Sequence, residues 1–128
     1  MKVEEIKSTY PKTWEQLFTW QKVKMEEWQV NMYKMSGVTD ALPPIQDKDV
    51  TNVLEAMFNF PNWNFLYEFF DSKNIIMTTD HNLRKSWETY GSKGFWCLID
   101  DKQTDIKENR LDAERDGFLL CFEINEKS

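Results

Sequence analysis

Large rings constrain this chain more than any other feature of it. Six Trp, nine Phe and four Tyr stand among 128 residues, beside one His, two Cys and four Gly. Each large ring buries roughly 150–250 Å² when enclosed, so such a chain builds either a dense core or an adhesive surface. Few of its groups are of the kind that perform chemistry. With 41% hydrophobic and 30% charged residues the composition is globular. A single domain over residues 1–128 is expected at this length, with 1–12 loosely ordered. A core of that size needs neither disulfide nor metal. Cys97 and Cys121 lie in GFWCLID and FLLCFEI and read as reduced core thiols, a disulfide between them being the alternative.

The opening MKVEEIKSTYPKTWEQ carries no apolar h-region and no small-residue cleavage site, so no signal peptide is read there. No apolar run approaches the ~20 residues that span a bilayer. A cytoplasmic protein without membrane contact is expected. The net charge of −6 works against phosphate binding and fits a protein partner with a basic surface.

Periodicity divides the chain into elements. Thr13 and Gln16 have the spacing of a capping box that opens a helix over 14–35, with Gly37 as its stop. Its apolar stripe runs Trp14, Leu17, Phe18, Met25, Trp28, Met32 and Met35, interrupted by Gln21. Burial on two sides and an exposed partner groove are the two readings of that helix. Residues 37–46, with Pro43-Pro44, read as a loop. A second helix begins near Asp47 or Asp49, shows Val50, Val53, Leu54, Met57 and Phe58 on one face, and ends at Pro61. Asn62 then caps a short helix, NWNFLYEFFDSK, whose rings point nearly all round. That helix is either enclosed or pressed on a partner, and it is the best sequence candidate for a binding element.

Beyond Asn74 the pattern turns to strands. Residues 75–79 form one strand, and GFWCLID another, with Phe95, Cys97 and Ile99 on one face and Trp96 and Leu98 on the other. Both faces being apolar, each should be covered. A short helix is expected between these strands, capped by Asp80 or Asn82, carrying Leu83 and Trp87 and ending at Gly91. DDKQT reads as a turn into a weak returning strand at 105–107. Asn109 caps a final helix with Leu111, Phe118, Leu119 and Phe122 on one face and Gly117 within it, the glycine explained by close packing on the sheet. The fold class expected is α+β: a helical N-terminal half, and a small antiparallel sheet backed by a C-terminal helix.

Two stretches resemble known sequences. YPKTWEQL is similar to the Y-P-K-T-W-E-E-hydrophobic opening of small uncharacterised proteins of Bacteroidales phages and integrated elements. GFWCLIDD, followed by RLDAERDGFLLCFEI, looks like a recurrent tail of such proteins, in which a W-x-hydrophobic strand and hairpin lead into an E-A-x-x-x-G-hydrophobic helix. Ala113, Gly117 and Phe118–Leu120 keep that pattern in rough form. The resemblance covers about a third of the chain. It implies a mobile-element origin and a sheet-plus-helix ending, and it supplies no active residues.

Catalytic constellations are sparse. His81 beside Asp80 suggests a general base, yet neighbours on a strand point to opposite faces. One His and two distant Cys make no zinc site, and neither a Walker loop nor a G-x-S-x-G elbow is present. Asp100, Asp101 and Asp105 lack the glycine and closing glutamate of a calcium loop. No cofactor and no metal are expected. From Asp40 to Asp71 the only base is Lys48, which places the aromatic helix in an acidic setting. The contact residues expected there are Trp63, Tyr67, Glu68, Phe70 and Asp71. The expected function is a non-enzymatic, acidic protein-binding module of phage or mobile-element origin, in its specific form an inhibitor of a nucleic-acid-handling or defence (anti-CRISPR-like) protein. An assembly protein forming a homo-oligomer is the first alternative, and a small hydrolase-like enzyme using His81 the second.

Overall fold

The structure is a computed structural model, and it describes residues 1–37, 43–60, 63–82 and 94–128. Among them are five helices and a three-stranded sheet: α1 (Val3–Thr9), α2 (Pro11–Ser36), α3 (Asp47–Asn59), α4 (Asn64–Asp71), β1 (Met77–Asn82), β2 (Gly94–Ile99), β3 (Lys102–Gln103) and α5 (Arg110–Glu126). The fold is α+β, with α5 packed on a small antiparallel sheet of order β1-β2-β3. The chain falls into two compact units, Met1–Asn62 and Trp63–Ser128. The expected helix through Leu83 and Trp87, and the roles given to Pro61 and Asn62, lie outside the described residues.

In the first unit the N-terminus differs from expectation. Residues 3–9, expected to be loosely ordered, form α1, which buries Val3 and Ile6. Tyr10 separates it from α2, which begins at Pro11 rather than after Thr13. Proline suits a first helical position because its missing N–H lacks an intrahelical partner there anyway. Thr13 is therefore a fully buried residue of the first turn and not a cap. Gly37, at φ 72°, ends α2 in the left-handed conformation. The start of α3 is fixed by Gln46, whose backbone N–H donates to the Asp49 carboxylate at 3.0 Å. Val50, Leu54 and Phe58 form the buried face of α3, as the i, i+4, i+8 spacing requires.

In the second unit β1 pairs with β2 from Met77↔Ile99 to Asn82↔Gly94. A two-residue turn at Asp100-Asp101, with Asp100 at φ 55°, brings the chain back as β3. The returning strand is split. Residues 102–103 pair with β2, and Lys107 alone rejoins Phe95 through two 2.8 Å hydrogen bonds. Between them Thr104 binds Cys97 through its side chain, accepting the Cys97 N–H at 2.8 Å. The strand expected at 105–107 is thus reduced to one residue.

One sheet face carries Met77, Cys97 and Ile99, all buried, and α5 lies against it. Gly117 makes that approach geometrically feasible. A Cβ there would stand 2.5 Å from Met77 Sδ and 2.8 Å from both Cβ and Sγ of Cys97. The opposite face is not sealed: Trp96 and Leu98 are half-buried, because their cross-strand neighbours Asp80 and Thr78 are exposed and polar. An antiparallel sheet with one wet face accommodates this. Asn109 caps α5, its side chain accepting the Asp112 N–H at 2.9 Å.

Gly117→Ala should destabilise the protein by about 1–3 kcal/mol in chemical denaturation. Alanine's better helix propensity offers about 1 kcal/mol, but Cys97 Cβ cannot yield without moving the strand. An equal or more stable variant would contradict the packing described.

Candidate functional site

Helix α4 was the sequence candidate for partner contact, and its rings go elsewhere. Trp63, Phe65, Leu66, Phe69 and Phe70 are buried, Tyr67 is half-buried, and only Asn64, Glu68 and Asp71 are exposed. Phe118 of α5 receives three of the rings: Tyr67 at 4.9 Å, Trp63 at 6.2 Å and Phe70 at 6.4 Å between centroids. Phe70 also meets Phe122 edge-on at 5.1 Å. Such edge-to-face pairs contribute about 0.5–1.5 kcal/mol beyond area burial. Trp63 and Phe70, expected as interface anchors, are core residues, because α5 carries a second aromatic layer that matches α4. Glu68 and Asp71 remain as surface charges.

Around Tyr67 the second unit gathers polar groups from four elements. The Tyr67 hydroxyl lies 3.1 Å from Thr79 Oγ1, which lies 3.5 Å from Cys97 Sγ. The thiol in turn donates to the Ala113 carbonyl at 3.3 Å. Glu114 hydrogen-bonds Tyr67 from α5, with Arg110 near enough to act on its charge. Burial raises the Glu114 carboxyl above its usual range, against the opposing pull of Arg110 and Tyr67. Burial likewise raises the Tyr67 phenol and the Cys97 thiol, and pushes Cys121 up to about 12. Raised thiols are protonated and poorly nucleophilic at neutral pH. The cluster therefore ties α4, the sheet and α5 together by satisfying polar atoms at their seam.

His81 does not join it as a base. Asp80 Oδ1 accepts the backbone N–H of His81 at 2.9 Å, and the exposed imidazole lies tilted against Phe95, 5.8 Å between centroids. Consecutive strand positions diverge, as the period of two demands. Among the described residues no three His, Cys, Asp or Glu side chains gather as a metal-binding group. No helix among them is long and apolar enough to cross a membrane.

Among the described residues most of the exposed large apolar side chains lie on α2 instead, with Phe60, Ile76 and Ile106 exposed elsewhere. Trp14, Leu17 and Gln21 are buried, and the stripe they define continues through Met25, half-buried, to Trp28, Met32 and Met35, which are 65%, 45% and 83% exposed. The cause is a mismatch of length. At 1.5 Å per residue α2, with 26 residues, is about 39 Å long, whereas α3, with 13, is about 20 Å. Lys22 Nζ pairs with Asp47 Oδ1 at 3.3 Å, so α3 starts beside the middle of α2 and covers only its first half. Gln29 donates to the Pro43 carbonyl at 2.9 Å, which holds the chain just before α3 against the flank of α2. Residues 23–36 thus run roughly 21 Å past the start of α3, with Trp28, Met32 and Met35 of their apolar face in water. A hollow of about 370 Å³ beside Val23, Glu26, Glu27, Val30 and Asn31 lies on the other side of the same overhang.

Their helical spacing puts these residues in one stripe without deciding its exposure; the signal in the sequence is the unequal length of two consecutive helices. The chain matches no protein-family model, no curated protein and no solved structure.

Two outcomes follow for the second unit. Neither buried thiol should react with a water-soluble disulfide reagent in the native protein at neutral pH, while both should react after unfolding; native labelling at either would contradict the packing. For Glu114, the folded chain holds the side-chain proton more tightly than the unfolded chain does. Its contribution to stability is present below the unfolded value and lost as pH rises through the raised one. Glu114→Gln should accordingly gain stability relative to the parent at pH 7 compared with pH 4, as read by denaturant midpoints.

Proposed function

We propose that this chain is a non-enzymatic protein-interaction module, and that its contact surface is the overhanging half of α2. One observation carries the reading: a stripe that is core in the first half of the helix continues into solvent as Trp28, Met32 and Met35. Leaving such side chains in water forgoes roughly 1.5–3 kcal/mol apiece relative to burial. Contiguous exposed apolar surface of this kind marks interaction sites, and Trp and Met are among the residues enriched at interfaces. Anchors spaced i, i+4, i+7 along a projecting helix suit a partner helix or groove.

Two forms of the reading differ in partner. A basic protein partner, and within that an inhibitory role against a nucleic-acid-handling or defence protein in the cytoplasm, draws support from the net charge of −6. The terminal stretches similar to phage and mobile-element proteins support the same form. A homo-oligomer draws support from the overhang alone, which gives any copy of the chain the same uncovered face.

A photo-reactive amino acid at position 28 tests the shared claim in cells. One discrete adduct is expected from position 28, lost on Met35→Glu, and none from the exposed position 15 on the first half of the helix. No adduct, or one indifferent to Met35→Glu, would contradict this function.

A further inference from the structure

We infer that Glu114, Tyr67, Thr79 and Cys97 form a hydrogen-bond chain whose direction is set by the proton on Glu114, so that this half-buried carboxyl controls how the buried Cys97 thiol holds α5 to the sheet. The direction follows from counting hydrogens. A carbonyl oxygen only accepts, so the 3.3 Å bond from Cys97 to the Ala113 carbonyl uses the one thiol hydrogen. The 3.5 Å contact between Thr79 and Cys97 must then use the Thr79 hydroxyl hydrogen. Tyr67 in turn spends its own on Thr79 Oγ1 at 3.1 Å. Nothing remains on Tyr67 for Glu114, so the bond between these two needs a hydrogen on the carboxyl. Four hydrogens close four bonds, and Glu114 is protonated in that arrangement.

Ionisation gives one hydrogen to water and leaves three. Glu114 then only accepts, so Tyr67 turns its hydroxyl to the carboxylate, Thr79 turns to Tyr67, and the Cys97 thiol turns to Thr79. Each of these three groups keeps its own hydrogen and rotates it to the other neighbour. The bond given up is that from Cys97 to Ala113, which joins β2 to the backbone of α5. Keeping the old direction would instead set a carboxylate against the lone pairs of Tyr67 with no hydrogen between them. Burial favours the neutral carboxyl, in agreement with the closed arrangement. Among the described residues, the other charged and titratable groups around the chain come from α5 and β1. Arg110 pulls Glu114 towards the ionised form, while Asp116, paired with Lys107 at 3.3 Å, and Cys121 bear on Cys97. His81 stands two positions from Thr79 on the same face of β1, with its ring against Phe95. The chain is thus closed on Ala113 below the folded Glu114 value and reverses as pH rises through it.

Infrared spectroscopy of the thiols in the full chain, with Glu114 titrated in parallel by carboxyl carbon NMR from about pH 3 to about pH 8, reads the coupling. One S–H band, that of Cys97, should move to higher frequency as its acceptor changes from a carbonyl to a hydroxyl, with the same midpoint as Glu114. The Cys121 band should stay. Thr79→Val and Tyr67→Phe should each abolish the movement. Glu114→Gln should hold the band at its low-pH position, because an amide N–H replaces the carboxyl hydrogen. A band that stays fixed while Glu114 ionises, a Glu114 midpoint at the ordinary carboxylate value, or an equal movement in Tyr67→Phe would each overturn the proposal. The first two are read on the unsubstituted chain and stand even where a variant does not fold.

Discussion

Phe118 is the contact on which the second unit depends. Its ring takes Trp63, Tyr67 and Phe70 from α4 on one side, while Gly117, its neighbour, lets α5 settle onto Cys97 and Met77 of the sheet. One glycine and one phenylalanine thus join helix to helix and helix to strand within a single turn. The polar atoms left at that seam, Tyr67, Thr79, Cys97 and Glu114, satisfy one another. Buried polar groups need such partners, and the raised thiol and carboxyl values are a consequence of the burial.

The first unit follows the opposite logic. A helix needs something along its whole apolar face, and α3 supplies only half the length that α2 offers. The stripe does not change character at Lys22; its cover does. Large side chains that would be core in a longer hairpin become surface.

Much of this was legible in the sequence. The α+β class, the main helices, the register-setting alternation of β2, the Asn109 cap and the reason for Gly117 all follow from local chemistry, since period and cap are local properties. Whether a ring faces protein or water is not local. Helix α4 reads as sticky all round, and nothing within it reveals that Phe118 and Phe122 stand ready to enclose its rings. The α2 stripe leaves burial and an exposed groove both open, and only the position of the Lys22–Asp47 pair shows where cover stops. Thr13 misled for a related reason: a proline two positions earlier starts the helix sooner, and the capping pattern loses its meaning inside it.

The decisive property is whether the distal face of α2 is open in the single chain. Methionine methyl resonances, exposed to a soluble paramagnetic chelate at high dilution, report this directly. Met32 and Met35 should be strongly relaxed, while Met77, beneath α5, should be shielded. Met32 and Met35 as well protected as Met77 in the dilute monomer would mean the face is already covered, and the functional argument built on it would fall.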